Sequence, residues 1–270
     1  MSSATGPGIT AITLDFGNTL VPVPASALRE VVRRTAVAMA ERLGPFELDD
    51  VQRVWAEERE RQFREEVPLF RETDLGQRIA RVLARLRGMA PPPPDVRWDD
   101  DAAGALSDPD EIAWTLEVYS AAFVDALPPP PGRAELLVRL ADRHTVAILS
   151  NWPLAVTIDR YADAAGWTPS LAAIVVSQRV GTIKPHPAIF AAARLALGDP
   201  EPSAILHVGD DWAADVVGAR EAGWRTAYLL GRPRDSPLPG SERDDDPALL
   251  PDLELAELDD IEAGLDRLRR

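Results

Sequence analysis

Four short runs in the sequence carry side chains that could do chemistry together: Asp15 with Gly17, Asn18 and Thr19; Ser150-Asn151; Lys184; and Asp210-Asp211 followed by Asp215. A carboxylate such as Asp15, placed after an apolar run, can attack an electrophile or bind a metal ion. Ser150-Asn151 offers a hydroxyl and backbone N–H groups to an oxyanion. Three acids so close in sequence as Asp210, Asp211 and Asp215 ask for a cation, and hard oxygen ligands are what Mg2+ prefers. Lys184 is the only lysine beside 28 arginines. It is a compact point charge where arginine would present a broad planar fork. Each run has a plainer reading. Asp15 and one of the later acids could cap a turn or a helix, Ser-Asn is common in loops, and Lys184 could be a surface residue.

What brings the runs together is the pattern of elements around them. Residues 9–14, 145–149, 173–176, 204–208 and 226–230 are short, apolar and β-rich, and read as strands. Helix-like segments at 154–165, 187–197 and 212–222 lie between the last four, each closed by a glycine that suits a helix C-terminus: Gly166, Gly198 and Gly223. Such alternation implies a parallel, doubly wound sheet, whose ligands sit at the carboxyl ends of the strands. A helix beginning near Trp212 would put Asp211 and Asp215 on one face. After the first strand comes a long stretch rich in Ala, Arg, Glu and Leu, with helical candidates at 25–43, 49–66, 74–89 and 109–126. It is a domain-sized insertion. The insertion exits through Pro128-Pro129-Pro130-Pro131-Gly132, a stiff connection that would suit a hinged lid or a fixed one. Pro91 to Pro94 reads as a loop inside it, and 231–252 as a mobile loop before a last helix near 259–268.

Composition narrows the function classes. With 270 residues, 46% hydrophobic and 27% charged, the chain can build a large core. A net charge of -15 repels nucleic acid and anionic membranes, so an anionic substrate must be neutralised locally. The absence of cysteine excludes thiol nucleophiles, thiolate zinc sites and disulfides. Residues 1–8 lack the pattern of an export signal, and no apolar stretch approaches the ~20 residues of a membrane span. A cytoplasmic protein is expected.

The ordered set Asp15 to Leu20, Ser150-Asn151, Lys184-Pro185 and Gly209-Asp210-Asp211 with Asp215 resembles the four motifs of the haloacid dehalogenase (HAD) superfamily, and the insertion after the first motif resembles its C1-capped subgroup. The resemblance implies an α/β fold: a Rossmann-like, doubly wound parallel sheet core (1–21 and 130–270) with an inserted all-helical cap (22–129). It also implies Asp15 as nucleophile and Lys184 as a second catalytic residue, with Thr19, Ser150 and Asn151 holding the transferring group of a small phosphorylated substrate. Mg2+ would be bound by Asp15, the Gly17 carbonyl, Asp210 and Asp211, with Asp215 behind them.

One position departs from the phosphatase members of that family, which carry an acid/base aspartate where this chain has Gly17. Glycine keeps a carbonyl for a metal and loses the proton donor, worth ~10²- to 10⁴-fold in rate. Asn18 suits the turn because asparagine tolerates left-handed geometry. Three readings follow: a Mg2+-dependent phosphatase-type hydrolase, a metal-independent haloacid dehalogenase-like hydrolase, and a non-catalytic ligand- or partner-binding protein. On the first, Gly17→Asp is expected to raise alkyl phosphate hydrolysis by ~10-fold or more. His186 reads as a loop residue, His144 and His207 as structural, and Trp152 and Trp212 as either site-lining or core.

Overall fold

The computed structural model describes residues 8–244 and 246–268; the first seven residues, examined above for an export signal, lie outside them. Six parallel strands form one sheet in the order β3-β2-β1-β4-β5-β6. They are β1 (Ala11–Leu14), β2 (Thr145–Ser150), β3 (Ala173–Val176), β4 (Ile205–Gly209), β5 (Arg225–Leu229) and β6 (Leu253–Leu255). The chain reverses its direction of winding at β1, between β2 and β4. There the carboxyl ends of neighbouring strands open a crevice.

Side chains alternate across these strands. Ile12, Leu14, Val146, Ile148, Leu206 and Val208 enter one apolar cluster, whereas Ala11, Ala147, Leu149 and Ile205 enter another. Both faces are therefore buried, which is why the strands read as continuous apolar runs. The second face is covered by α9 (Pro187–Ala196) and α10 (Gly218–Glu221), through Ile189, Phe190 and Ala219. The first is covered by α6 (Arg133–Ala141), α7 (Ala155–Ala164) and α11 (Ile261–Leu268). Gly166, Gly198 and Gly223 do follow their helices with φ of 71°, 88° and 79°, the left-handed stop expected of them.

Between β1 and α6 stand the helices of the cap: α1 (Ala25–Arg42), α2 (Leu48–Glu66), α3 (Leu75–Leu86), the short α4 (Asp100–Gly104) and α5 (Pro109–Ala126). Local signals start two of them. The Asp74 carboxylate accepts from Gln77 N at 2.9 Å, and Asp108 and Glu111 form a reciprocal capping box ahead of α5. Arginines then tie the cap helices together, Arg81 pairing with Glu65 and Asp100, and Arg85 with Glu58.

The cap is packed onto the core in this structure. Phe123 of α5 lies edge-on to Trp152 at 5.2 Å and tilted against Phe16 at 6.2 Å, and Ser120 and Thr157 share a hydrogen bond of 2.8 Å across the junction. One apolar cluster runs through cap and core.

Two elements depart from the sequence reading. Helix α6 and strand β6 were not anticipated, and β6 directly follows the stretch 231–252 read as loop; three residues in register with Ala227–Leu229 are too short to show a period. The segment that precedes β6, residues 231–241, is not free: it folds back over the mouth of the sheet. No helix among the described residues is long and apolar enough to cross a membrane.

Candidate active site at the switch point of the sheet

Asp15 directly follows β1, held by a backbone bond from Asp15 N to Val208 O at 2.9 Å. The chain then turns through Asn18, whose φ of 60° is the left-handed geometry asparagine accepts. The Asn18 side chain locks the turn by accepting from Val23 N at 3.1 Å. Across the crevice Lys184 is 3% exposed. Its ammonium donates to Asp15 Oδ1 at 2.8 Å, Asp215 Oδ1 at 2.6 Å and the Leu149 carbonyl at 3.0 Å. An ammonium has three donors, so all of Lys184 is committed. Burial disfavours the charge, but Asp15 and Asp215 outweigh it and hold the ammonium above its ordinary pKa.

Asn151 positions this lysine. Its amide accepts from Lys184 N at 2.7 Å and donates to Lys184 O at 3.1 Å. The side chain expected to hold substrate therefore clamps the backbone of the lysine instead. Ser150 is buried at the end of β2, where its hydroxyl favours the ionised form of Asp15.

The acids sort differently from the sequence expectation. Asp15, Asp210 and Asp215 each bring a carboxylate oxygen within 4.8 Å of the others. Asp211 does not join them. Its carboxylate caps the turn that follows, accepting from Ala214 N at 2.8 Å, Ser241 Oγ at 2.7 Å and Ser241 N at 3.0 Å. That turn, Trp212–Val217, is π-helical, wider than the α-helix assumed from the spacing. Asp215 consequently points back toward β4, which is allowed because residue 209 is glycine: a Cβ there would lie 2.1 Å from Asp215 Cγ. Both oxygens of Asp215 are taken, Oδ1 by Lys184 and by His207 Nε2 at 3.0 Å, Oδ2 by Asp211 N at 2.9 Å.

Electrostatics follow from these contacts. Burial raises Asp215, but Lys184 and His207 reverse that and hold its carboxyl well below the usual range. Burial lowers His207 and favours its neutral form; its Nε2 lies 3.0 Å from Asp215 Oδ1 and its Nδ1 2.8 Å from Thr13 Oγ1. Burial pushes Asp15 up to about 6 against the pull of Lys184. It pushes Asp210 up to about 7, with the charges of Asp15 and Asp215 adding to the effect. Two facing carboxylates thus carry negative charge that the protein does not fully balance.

Lys184 offsets part of the charge on Asp15, and the 231–241 segment supplies a cation to Asp210. Arg232 Nη1 donates to Asp210 Oδ2 at 3.0 Å, beside Asn18 Nδ2 at 3.4 Å, and Thr19 Oγ1 donates to Asp210 Oδ1 at 3.3 Å. Thr19 therefore touches Asp210. Ser236 Oγ accepts from Asn18 Nδ2 at 2.9 Å, and Leu238 and Pro239 line the cavity. Leu238 also explains Gly17: a Cβ at position 17 would lie 2.5 Å from Leu238 Cδ1. An acid placed there must push the end of that leucine aside.

The other singled-out residues fall outside the reacting centre. His186 caps α9, accepting from Ala188 N at 3.2 Å, and His144 and Trp212 are buried structural side chains. Trp152 lines the cavity while packing on Phe123. The cavity itself, about 270 Å³, also takes in Arg59, Glu72, Arg78 and Tyr119 from the cap. Sequence spacing offered no signal for these, nor for Arg232 and Leu238.

Comparison with known proteins agrees with the architecture. Over 121 aligned residues the chain is 30% identical to the pyrimidine 5'-nucleotidase YjjG of Escherichia coli (strain K12), covering 45% of this chain and 53% of that protein. The chain thus matches about half the length of that relative. A 2-haloacid dehalogenase from Pseudomonas syringae superposes with a TM-score of 0.66 at 23% identity, over 96% of this chain and 99% of that one. A HAD phosphatase from Thermococcus onnurineus superposes with a TM-score of 0.60 at 16% identity, over 95% and 98% of the two chains. At such identities the likeness is one of fold. The family description "haloacid dehalogenase-like hydrolase" matches residues 9–223, and the chain, with its parallel core, helical cap and strand-end acids, belongs to that family of hydrolases.

Proposed function

We propose that this hydrolase acts on a small phosphorylated metabolite through Asp15, with Mg2+ as its cofactor. The observation that carries the reading is the pair Asp15 and Asp210, facing each other at the switch point, both carboxyls raised by burial and by neighbouring acids, Asp215 for Asp15 and Asp15 with Asp215 for Asp210. A hard divalent cation fits that deficit. Asp15, Asp210 and the Gly17 carbonyl would hold it, since Asp211 is spent on Ser241 and Asp215 on Lys184 and His207. Bound there, Mg2+ would offset the charge of an incoming phosphate.

The residues then take distinct roles. The Asp15 carboxylate attacks phosphorus, the bond to the leaving oxygen breaks, and water later cleaves the acyl phosphate so formed. Lys184 holds Asp15 in place, and the neutral His207 with Asp215 holds Lys184. Thr19 orients Asp210. No acid stands beside Gly17, so activated leaving groups such as acyl or aryl phosphates are favoured over alkyl ones.

A second reading has its own observation. Arg232 already gives Asp210 a cation, and Leu238 makes the wall beside Asp15 apolar. That combination would serve a metal-independent hydrolase acting on a haloacid.

Calorimetric titration with Mg2+ separates the two. Wild type is expected to bind it, and Asp210→Asn at least ~10-fold more weakly, because a charged oxygen ligand is lost. Equal affinity in both proteins overturns the metal assignment. A parallel screen of phosphate esters, acyl phosphates and 2-haloacids, each with and without EDTA, identifies the reaction.

Gly17→Asp alone is expected to give no gain on alkyl phosphates, since Leu238 fills the space. Gly17→Asp with Leu238→Ala is expected to raise alkyl phosphate hydrolysis by ~10-fold or more over Leu238→Ala alone. A gain in the single variant, folded by circular dichroism, shows that Leu238 gives way freely.

A further inference from the structure

The cavity above Asp15 has a second charged end. The cap roofs it with Arg59, Arg78 and Tyr119. Arg78 is 4% exposed and makes no ion pair among the described residues; Nε donates to Gln62 Oε1 at 2.9 Å and Nη2 to Thr73 Oγ1 at 3.3 Å. The other two buried arginines, Arg61 and Arg81, both pair with Glu65. Buried charges are ordinarily paired, and a guanidinium has five N–H donors. Most of those of Arg78 meet no protein acceptor among the described residues, and the cavity is where they are left to find one.

The guanidinium is also held in place. Thr73 is fixed by Glu72, which accepts from Thr73 N at 2.8 Å and from the Ser177 hydroxyl, and Gln62 Nε2 donates to the Asp74 carbonyl at 3.0 Å. Glu72 and Asp74 lie within electrostatic reach of Arg78 without contacting it. Arg59 likewise lacks a carboxylate partner among the described residues. It stacks over Phe63 at 4.9 Å and donates to the Pro237 carbonyl at 3.2 Å, so the 231–241 segment helps to aim it. The Tyr119 hydroxyl feels both guanidinium charges.

We propose that this roof binds a second anionic group of the substrate, so that the molecule attacked at Asp15 carries, at its other end, a carboxylate or a further phosphate. This rests on the phosphohydrolase reading for the reacting end only. A cavity of about 270 Å³ sits at the small end of ligand pockets, which suits a substrate of a few carbons. Two guanidiniums without a carboxylate partner among the described residues would select for charge at that end, because leaving them unmatched is costly.

The test uses Asp15→Asn protein, which binds without turnover, titrated calorimetrically with 2-phosphoglycolate, 1,3-propanediol bisphosphate and, as the control with one anionic group, glycerol 3-phosphate. One of the first two is expected to bind ~10-fold or more tightly than the control, and which one wins tells carboxylate from phosphate. Adding Arg78→Met should collapse that ratio toward one. Arg59→Met, at a half-exposed position, should reduce it in the same direction and guards against loss of fold in the first variant. Equal affinity for all three ligands overturns the proposal, as does a ratio that neither variant changes or a uniform loss for every ligand. If wild type hydrolyses none of these phosphates while the binding ratio holds, the reaction assigned to Asp15 fails and the anion-binding roof stands.

Discussion

Asp15→Asn is expected to lower turnover on the order of 10³-fold or more with every leaving group, because an amide cannot form the acyl intermediate. In a slow wild-type reaction, mass spectrometry should find the phosphoryl adduct on the peptide that carries Asp15. The same variant should not lose stability. The folded Asp15 carboxyl is raised to about 6 from 3.8, chiefly by burial. A raised carboxyl favours the fold while protonated, and that advantage is lost as pH rises through the folded value. With EDTA present, Asp15→Asn should therefore melt a few °C above wild type at pH 8, and the difference should fade toward pH 4. Retained activity would move the nucleophile elsewhere, and a lower melting point at pH 8 would contradict the electrostatic account.

Lys184→Met is expected to produce the largest loss of stability. The ammonium is the hub between Asp15, Asp215 and the Leu149 carbonyl. Removing one partner of a buried ion pair leaves uncompensated charge and costs ~3–5 kcal/mol. For a chain of this size that is a fall of roughly 10 °C in melting temperature. Hydrolysis should be lost with it, since Asp15 would no longer be held. Lys184→Arg should not rescue, because the broad fork replaces a point charge in a space closed by Asn151. Asp215→Asn in the Lys184→Met background should recover part of the loss, since residues in one network are not additive. A change of less than ~2 °C in Lys184→Met would show that the acids are relieved by other means.

The order of the reactive runs, the five long strands and the four long cap helices were legible because each is encoded locally. Continuous apolar stretches mark doubly buried strands, and Asp74, Asp108, Pro109 and the terminal glycines mark helix ends by side-chain and backbone chemistry within a few residues. The position of Asp15 was legible for a related reason: it directly follows β1, and strand ends in a parallel sheet converge whatever the loops do.

Other assignments could not be made that way. Asp211 and Asp215 are four residues apart, and only the π-helical turn, with Gly209 making room, sends Asp215 to Lys184 and leaves Asp211 to Ser241. Asn151 was readable as a site residue but not as the clamp on Lys184. Gly17 was readable as a missing acid, yet the side chain packed against it, Leu238, lies more than two hundred residues away in sequence. Short-range patterning and strand-end convergence were enough to set the family, the layered fold and the place of Asp15 at the end of β1. Tertiary structure alone decided which acids face the cavity, which cations are already committed and which arginines are left unpaired. Those outcomes depend on how distant segments, the 231–241 loop and the cap, pack against one another, and no local pattern encodes that packing.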